Sequence, residues 1–156
     1  MDHHKEEDLS VVPDSKRTSV PHLSFIVHSH LRWDFVWQRP QQILSRLALC
    51  YPVLFVEDAI AEERSVGLEI TEPHPNIFRV VPRFARGSSH NDHDMNDSFY
   101  EQTLSHLRRA IRHHPALRDR FDTPVQWFYS PMSAPYMLSQ FNAIKTVYDC
   151  MDELAN

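Results

Sequence analysis

The chain has 156 residues, 42% of them hydrophobic, which is enough for a packed core and sets one domain as the upper bound. A formal net charge of -5 and a pI near 6.1 argue against general nucleic-acid binding. The chain has two glycines, Gly67 and Gly87, and neither follows a strand and opens a helix, so a Walker A loop and a dinucleotide fingerprint are both excluded.

Residues 1–21 are polar, carry Pro13 and Pro21, and are expected to form a disordered leader ahead of a folded domain over 22–156. The charged start from Met1 to Asp8, two cysteines far apart (Cys50 and Cys150) and the lack of any run near the roughly 20 apolar residues of a membrane span predict a cytoplasmic setting. Leu23 to Val27 is a short apolar run of the kind a parallel sheet buries on both faces. Pro40 belongs in the first turn of a helix, which places the helix start near Gln38 or Arg39. The body of that helix, Gln41 to Leu49, gathers Ile43, Leu44, Leu47 and Ala48 on one side. Val53 to Val56 reads as a second buried strand ending at Glu57-Asp58, and Ala59 to Pro75 as an irregular excursion. Ile77 to Val81 reads as a third strand closed by Pro82, with a loop over 83–97. A long helix is predicted from about Asp97 to His113, with Tyr100, Leu104, Leu107 and Ile111 on its apolar face. Val125 to Tyr129 is a fourth strand. Ser133 can cap a short helix that accepts Pro135, and Thr146 to Tyr148 is a fifth strand. Strands alternating with helices predict an α/β fold, an open parallel sheet with helices on both faces. Asp152-Glu153-Leu154 reads as the opening of another helix, so the chain is expected to be cut short or completed by something else.

Three strand ends carry chemistry-capable groups: the loop from His28 to Arg39, the stretch Ser130 to Ser133, and Asp149 to Glu153. In a parallel sheet all three face one crevice, the edge where ligands bind. His28 and His30 are two apart and share a face if both are in a strand, which could make half of a metal site. No further His sits at a strand end, so no bound metal is expected, and a His-dependent metallohydrolase stays as an alternative. Trp33 and Trp37 read either as core or as an apolar platform for a sugar ring. Arg32 and Arg39 read as solvated, or Arg39 joins the first-turn amides to attract an anion. Asp149 and Asp152 read as a helix cap or as a general base. Arg108, Arg109 and Arg112 make a basic helix surface, either simply solvated or meeting anionic lipid.

The stretch Trp33-Asp34-Phe35-Val36-Trp37-Gln38-Arg39-Pro40-Gln41-Gln42, with Leu44 and Leu47-Ala48 behind it, resembles the opening of a group of bacterial glycosyltransferases of the GT-B fold. Val147-Tyr148-Asp149-Cys150-Met151-Asp152-Glu153-Leu154 resembles the end of the same N-terminal, Rossmann-like domain. The resemblance covers about residues 22–156 and includes the second and fourth strands. It implies an acceptor-binding half that works with a second half binding a nucleotide-sugar donor. The reaction moves a sugar to a saccharide or lipid-linked acceptor in cell-surface polysaccharide or glycolipid assembly, with no bound metal or other cofactor. The donor-binding half has no counterpart in this sequence, so the chain alone is expected to be inactive. The resemblance and the strand-end positions together assign Asp152 as general base. His28, His30, Arg32, Trp33, Asp34, Arg39, Ser130 and Asp149 are placed on the acceptor side. A non-catalytic carbohydrate- or protein-binding remnant of such an enzyme is the other alternative.

Overall fold

The computed structural model describes residues 22–87 and 91–150. The leader over 1–21 and the segment over 151–156, with Asp152, lie outside the described residues. Ten elements follow in order: β1 (Phe25–Ser29), α1 (Arg39–Leu47), β2 (Val53–Glu57), β3 (Ile60–Glu62), β4 (Gly67–His74), β5 (Ile77–Ala85), α2 (Asp92–His113), β6 (Val125–Phe128), α3 (Ala134–Met137) and β7 (Lys145–Tyr148).

The seven strands form one sheet in the order β3-β5-β2-β1-β6-β7, with β4 also pairing β5. Every pairing is parallel except β4 with β5. Arg79 lies opposite both Phe55 and Thr71, and Arg83 opposite both Ile60 and Gly67. So β2 and β3 run in line along one side of β5, and β4 occupies the other. Side chains alternate across the sheet. Phe25, Val27, Val53, Phe55, Ile77 and Val125 form one core with Leu44 and Ala48 from and beside α1. Ile26, Leu54, Val56, Phe78, Val80 and Phe128 form the other with Leu107 of α2 and Met137 of α3. The fold is therefore an open, mostly parallel α/β sheet with helices on both faces, as the alternation predicts.

Three stretches differ from the sequence reading. The segment over 59–75 holds β3 and β4 rather than irregular chain. β4 is a polar edge strand, GLEITEPH, so it lacks the apolar run that marks a buried strand. It turns back into β5 through Asn76, whose φ of 67° is left-handed and whose amide donates to Glu72 Oε1 at 2.9 Å. Pro82 does not close β5, which continues to Ala85. The Val53 amide donates to the Asn76 carbonyl, so even-numbered residues of β5 turn their backbone polar groups toward β2. Pro82 falls where β2 has ended and β3 has not begun, so its missing N–H deprives no ladder partner. α2 starts at Asp92 rather than Asp97, because the Asn91 side chain accepts from the His93 amide at 3.1 Å and caps it there. Its buried residues are Phe99, Thr103 and Leu107, while Tyr100, Leu104 and Ile111 are half-buried beside them.

Candidate functional site

α1 follows β1 on one face, α2 leads into β6 on the other, and β1 pairs with both β2 and β6. The strand order therefore reverses between β1 and β6, and the carboxyl edge at that reversal is the crevice where open α/β sheets bind ligands. The end of β1, the end of β6 and the end of β7 are neighbours there, which brings the first two predicted strand-end clusters and Asp149 of the third to one edge.

On the α1 face the edge is organised by Glu57, whose side chain is fully buried at the end of β2. Arg79 Nε donates to it at 2.7 Å, the Trp33 backbone N–H at 2.8 Å and Arg32 Nη1 at 2.9 Å. Burial alone would raise the Glu57 pKa. The Arg79 bond, the Trp33 N–H and Arg32 outweigh burial and hold it below the usual carboxylate value. Arg79 also pairs with Asp34, and Arg32 donates to the Asp58 carbonyl at 2.8 Å. The predicted site residues Arg32, Trp33 and Asp34 therefore fold the loop after β1 down onto Glu57 and Arg79. Trp33 is buried against Phe55, and its carbonyl takes the Gln41 amide at 3.0 Å. The same loop leaves Phe35, Val36 and Trp37 outside, at 76%, 50% and 57% exposed. Trp37 meets Trp33 edge-on at 6.0 Å. Met132 after β6 and Tyr148 at the end of β7 are also exposed.

Arg39 opens α1 and bonds Asp149 Oδ1 at 2.8 Å, joining the first and third strand ends directly. Asp149 thus serves the structure, and its Oδ2, like the nearby Tyr129 hydroxyl, is buried without a partner among the described residues. Burial, then the Asp149 charge, pushes the Tyr129 hydroxyl well above its usual value. The Ser130 hydroxyl is spent locally, accepting from the Met132 amide at 3.3 Å.

His28 and His30 do not share an environment, because β1 ends at Ser29. His30 is exposed beyond the strand. His28 is buried on the α2 face, stacked on Phe128 with centroids 4.6 Å apart. Burial pushes its pKa down to about 3, so the ring is neutral at physiological pH. The Gln126 amide donates to the Met137 carbonyl at 2.9 Å and lies 3.3 Å from His28 Nε2. The Met137 carbonyl fixes the amide orientation, so Nε2 accepts and the ring proton sits on Nδ1. Among the described residues, no group of three or more His, Cys, Asp or Glu side chains comes together to hold a metal ion.

His28 lines a cleft with Asp58, Tyr100, Thr103 and Ser133, set between the ends of β1 and β2 and the helices α2 and α3. Burial raises the Asp58 pKa against the opposing Tyr100 hydroxyl, Arg32 and His30. Glu57, Asp58, Arg79 and Thr103 were absent from the predicted site. A charge inside the apolar run Ile77 to Val81 was the available signal for Arg79, since a buried charge demands a partner. Thr103 had no such signal.

On the outer face of α2, Arg108, Arg109 and Arg112 are exposed. Arg108 bonds the Gln140 side chain at 2.7 Å and Arg109 lies 3.5 Å from His106 Nδ1. None of the three pairs with a carboxylate among the described residues. No described helix is long and apolar enough to cross a membrane.

No family model, no curated protein and no solved structure matches the chain.

Proposed function

We propose that the chain is the acceptor-side domain of a GT-B type glycosyltransferase, working with a second domain or chain that holds the nucleotide-sugar donor. Its crevice takes a saccharide or lipid-linked saccharide acceptor. The observation that carries this reading is the carboxyl edge at the strand reversal. There a loop pinned by Glu57 holds Phe35 and Trp37 out in solvent, and on the other face of the same edge the polar residues His28, Asp58, Thr103 and Ser133 line a cleft. An aromatic face packs on sugar C–H surfaces, and neutral donors and acceptors take hydroxyls. The two segments that resemble the ends of such a domain, over 33–48 and 147–154, support the same reading. In the complete enzyme Asp152 is assigned as general base by that resemblance. Asp152→Asn in a turnover assay with the donor-binding partner should cost a factor of about 10² to 10⁴ in rate, whereas near-normal turnover would leave Asp152 as a helix cap.

The same crevice would serve a non-catalytic saccharide-binding domain, a second reading favoured by the absence of a glycine-rich phosphate loop. Tryptophan fluorescence of the full chain, titrated with oligosaccharides and with uridine and guanosine diphosphate sugars, tests what the two readings share. Saccharides should change the emission, the change should be lost in Trp37→Ala, and nucleotide sugars should not bind in the low-micromolar range. Tight binding of a nucleotide sugar with no response to saccharides would overturn both. A search for a partner that confers transfer separates the enzyme from the binding domain.

The basic face of α2 favours one added contact. Three exposed arginines without carboxylate partners among the described residues suit a reversible, peripheral attachment to anionic lipid.

A further inference from the structure

The cleft on the α2 face holds more polar capacity than the protein itself uses. Thr103 and Ser133 are 4% and 6% exposed. Neither hydroxyl has a hydrogen-bond partner among the described residues, and Ser133 does not cap α3 although it precedes that helix. The two residues are buried, yet neither hydroxyl is among the fully buried polar atoms that lack a partner, so both keep contact with solvent and stay open to a ligand. His28 adds an Nδ1–H, since Nε2 is taken by Gln126. Asp58 adds carboxylate oxygens that, among the described residues, take only a long bond of 3.4 Å from the Tyr100 hydroxyl. Residues bearing two hydroxyls, one N–H donor and one carboxylate therefore line the same small space.

We propose that this cleft is a subsite for the hydroxymethyl arm of a saccharide, whose hydroxyl bonds to Thr103, Ser133 and Asp58. The assignment rests on the saccharide reading above and narrows it to one group of the sugar. Three features choose that group. The space inside admits about one water-sized group, which suits a slim primary alcohol and not a ring. Its walls offer donors and acceptors together, and a hydroxyl uses both. The Asp58 carboxylate on its wall repels an anion, while the His28 N–H opposes a cation. The mouth lies at the ends of β1 and β2, on the ligand-binding edge of the sheet. Trp37 and Phe35 stand on that same edge, where they can take the ring.

The test is a nuclear magnetic resonance titration of the full, isotope-labelled chain with glucose and with xylose, which differ by the hydroxymethyl arm. Glucose should shift the amides of Asp58, Ala59, Thr103 and Ser133, and should bind about tenfold more tightly than xylose, the scale of one or two well-made hydrogen bonds. Thr103→Val and Ser133→Ala should each raise the glucose Kd toward that of xylose without changing the xylose Kd. Both substitutions remove a hydroxyl and keep the shape, and the amide spectrum itself reports whether the fold survives. Equal affinity for the two sugars, or shifts confined to residues 35–37, would overturn the subsite and leave the saccharide reading standing. Binding of neither sugar would overturn both.

Discussion

The two faces of the sheet at its carboxyl edge hold polar groups under opposite rules. On the α1 face, Glu57 is a buried ion whose oxygens are taken by Arg79, Arg32 and the Trp33 amide, so that every charge is answered within the chain. On the α2 face, His28, Thr103 and Ser133 are buried and neutral, and part of their bonding capacity is unused. Two adjacent residues, Glu57 and Asp58, fall on either side of this divide, one lowered in pKa by its partners and the other raised by burial. The lesson is that charge at a strand edge need not mark the ligand site. Here the charged cluster fixes the loop after β1, and the cleft behind it, lined by Asp58 and by neutral groups, keeps hydrogen-bonding capacity that the cluster has used up.

The largest effect should follow from breaking the charged side. Glu57→Gln leaves Arg79 and part of Arg32 facing a neutral amide in a closed space. Removing one partner of a buried pair destabilises by about 3 to 5 kcal/mol, and the low end applies because Arg32 is partly solvated. Chemical denaturation measures it, and a loss below about 1 kcal/mol would mean that the cluster does not hold the loop.

A smaller effect, with a defined sign, belongs to the neutral side. The folded pKa of His28 is depressed to about 3 from 6.5, so its neutral form stabilises the fold above pH 6.5. That contribution is lost as pH falls from 6.5 toward 3, because the unfolded chain takes up a proton that the folded chain refuses. The slope from this one group is up to about 1.4 kcal/mol per pH unit. His28→Phe keeps a ring against Phe128 and removes the titration, so its unfolding free energy between pH 7 and 5 should vary less than that of wild type. Identical pH profiles for the two proteins would place the acid sensitivity elsewhere.

α2 sharpens the contrast in a single helix, with Thr103 buried and Arg108, Arg109 and Arg112 exposed. Each arginine near an anionic surface contributes about 1 kcal/mol, falling off within a Debye length. Co-sedimentation with anionic vesicles should fade as salt rises and drop in Arg109→Gln/Arg112→Gln. Equal binding to neutral vesicles, or none to anionic ones, would remove lipid from the list of partners.

Much of the frame could be read from the sequence. The apolar runs at Leu23 and Val53, Pro40 at a helix start, and the helix ending at His113 before Pro115 lie close to where they were expected. These are local signals, carried by burial period and backbone restriction. β4 escaped because an edge strand facing water carries no apolar run. The site was legible by position only. His28 and Asp149 lie at the predicted edge, but whether a strand-end residue faces ligand or another side chain depends on contacts across 22 to 110 residues, such as Arg79 with Glu57 and Arg39 with Asp149. Thr103 was illegible for the same reason, as a helix threonine whose meaning comes from the cleft it faces.

The division between a structural face and a ligand face is tested most directly by the stabilisation that saturating glucose gives to wild type, Glu57→Gln and Thr103→Val in one denaturation series. A ligand that binds only the folded chain stabilises it by RT ln(1 + [L]/Kd). Glu57→Gln should start lower and still gain from glucose, because the cleft side chains are intact, while Thr103→Val should start near wild type and gain less than wild type. An equal gain in Thr103→Val, a gain lost in Glu57→Gln, or no gain in wild type would contradict it.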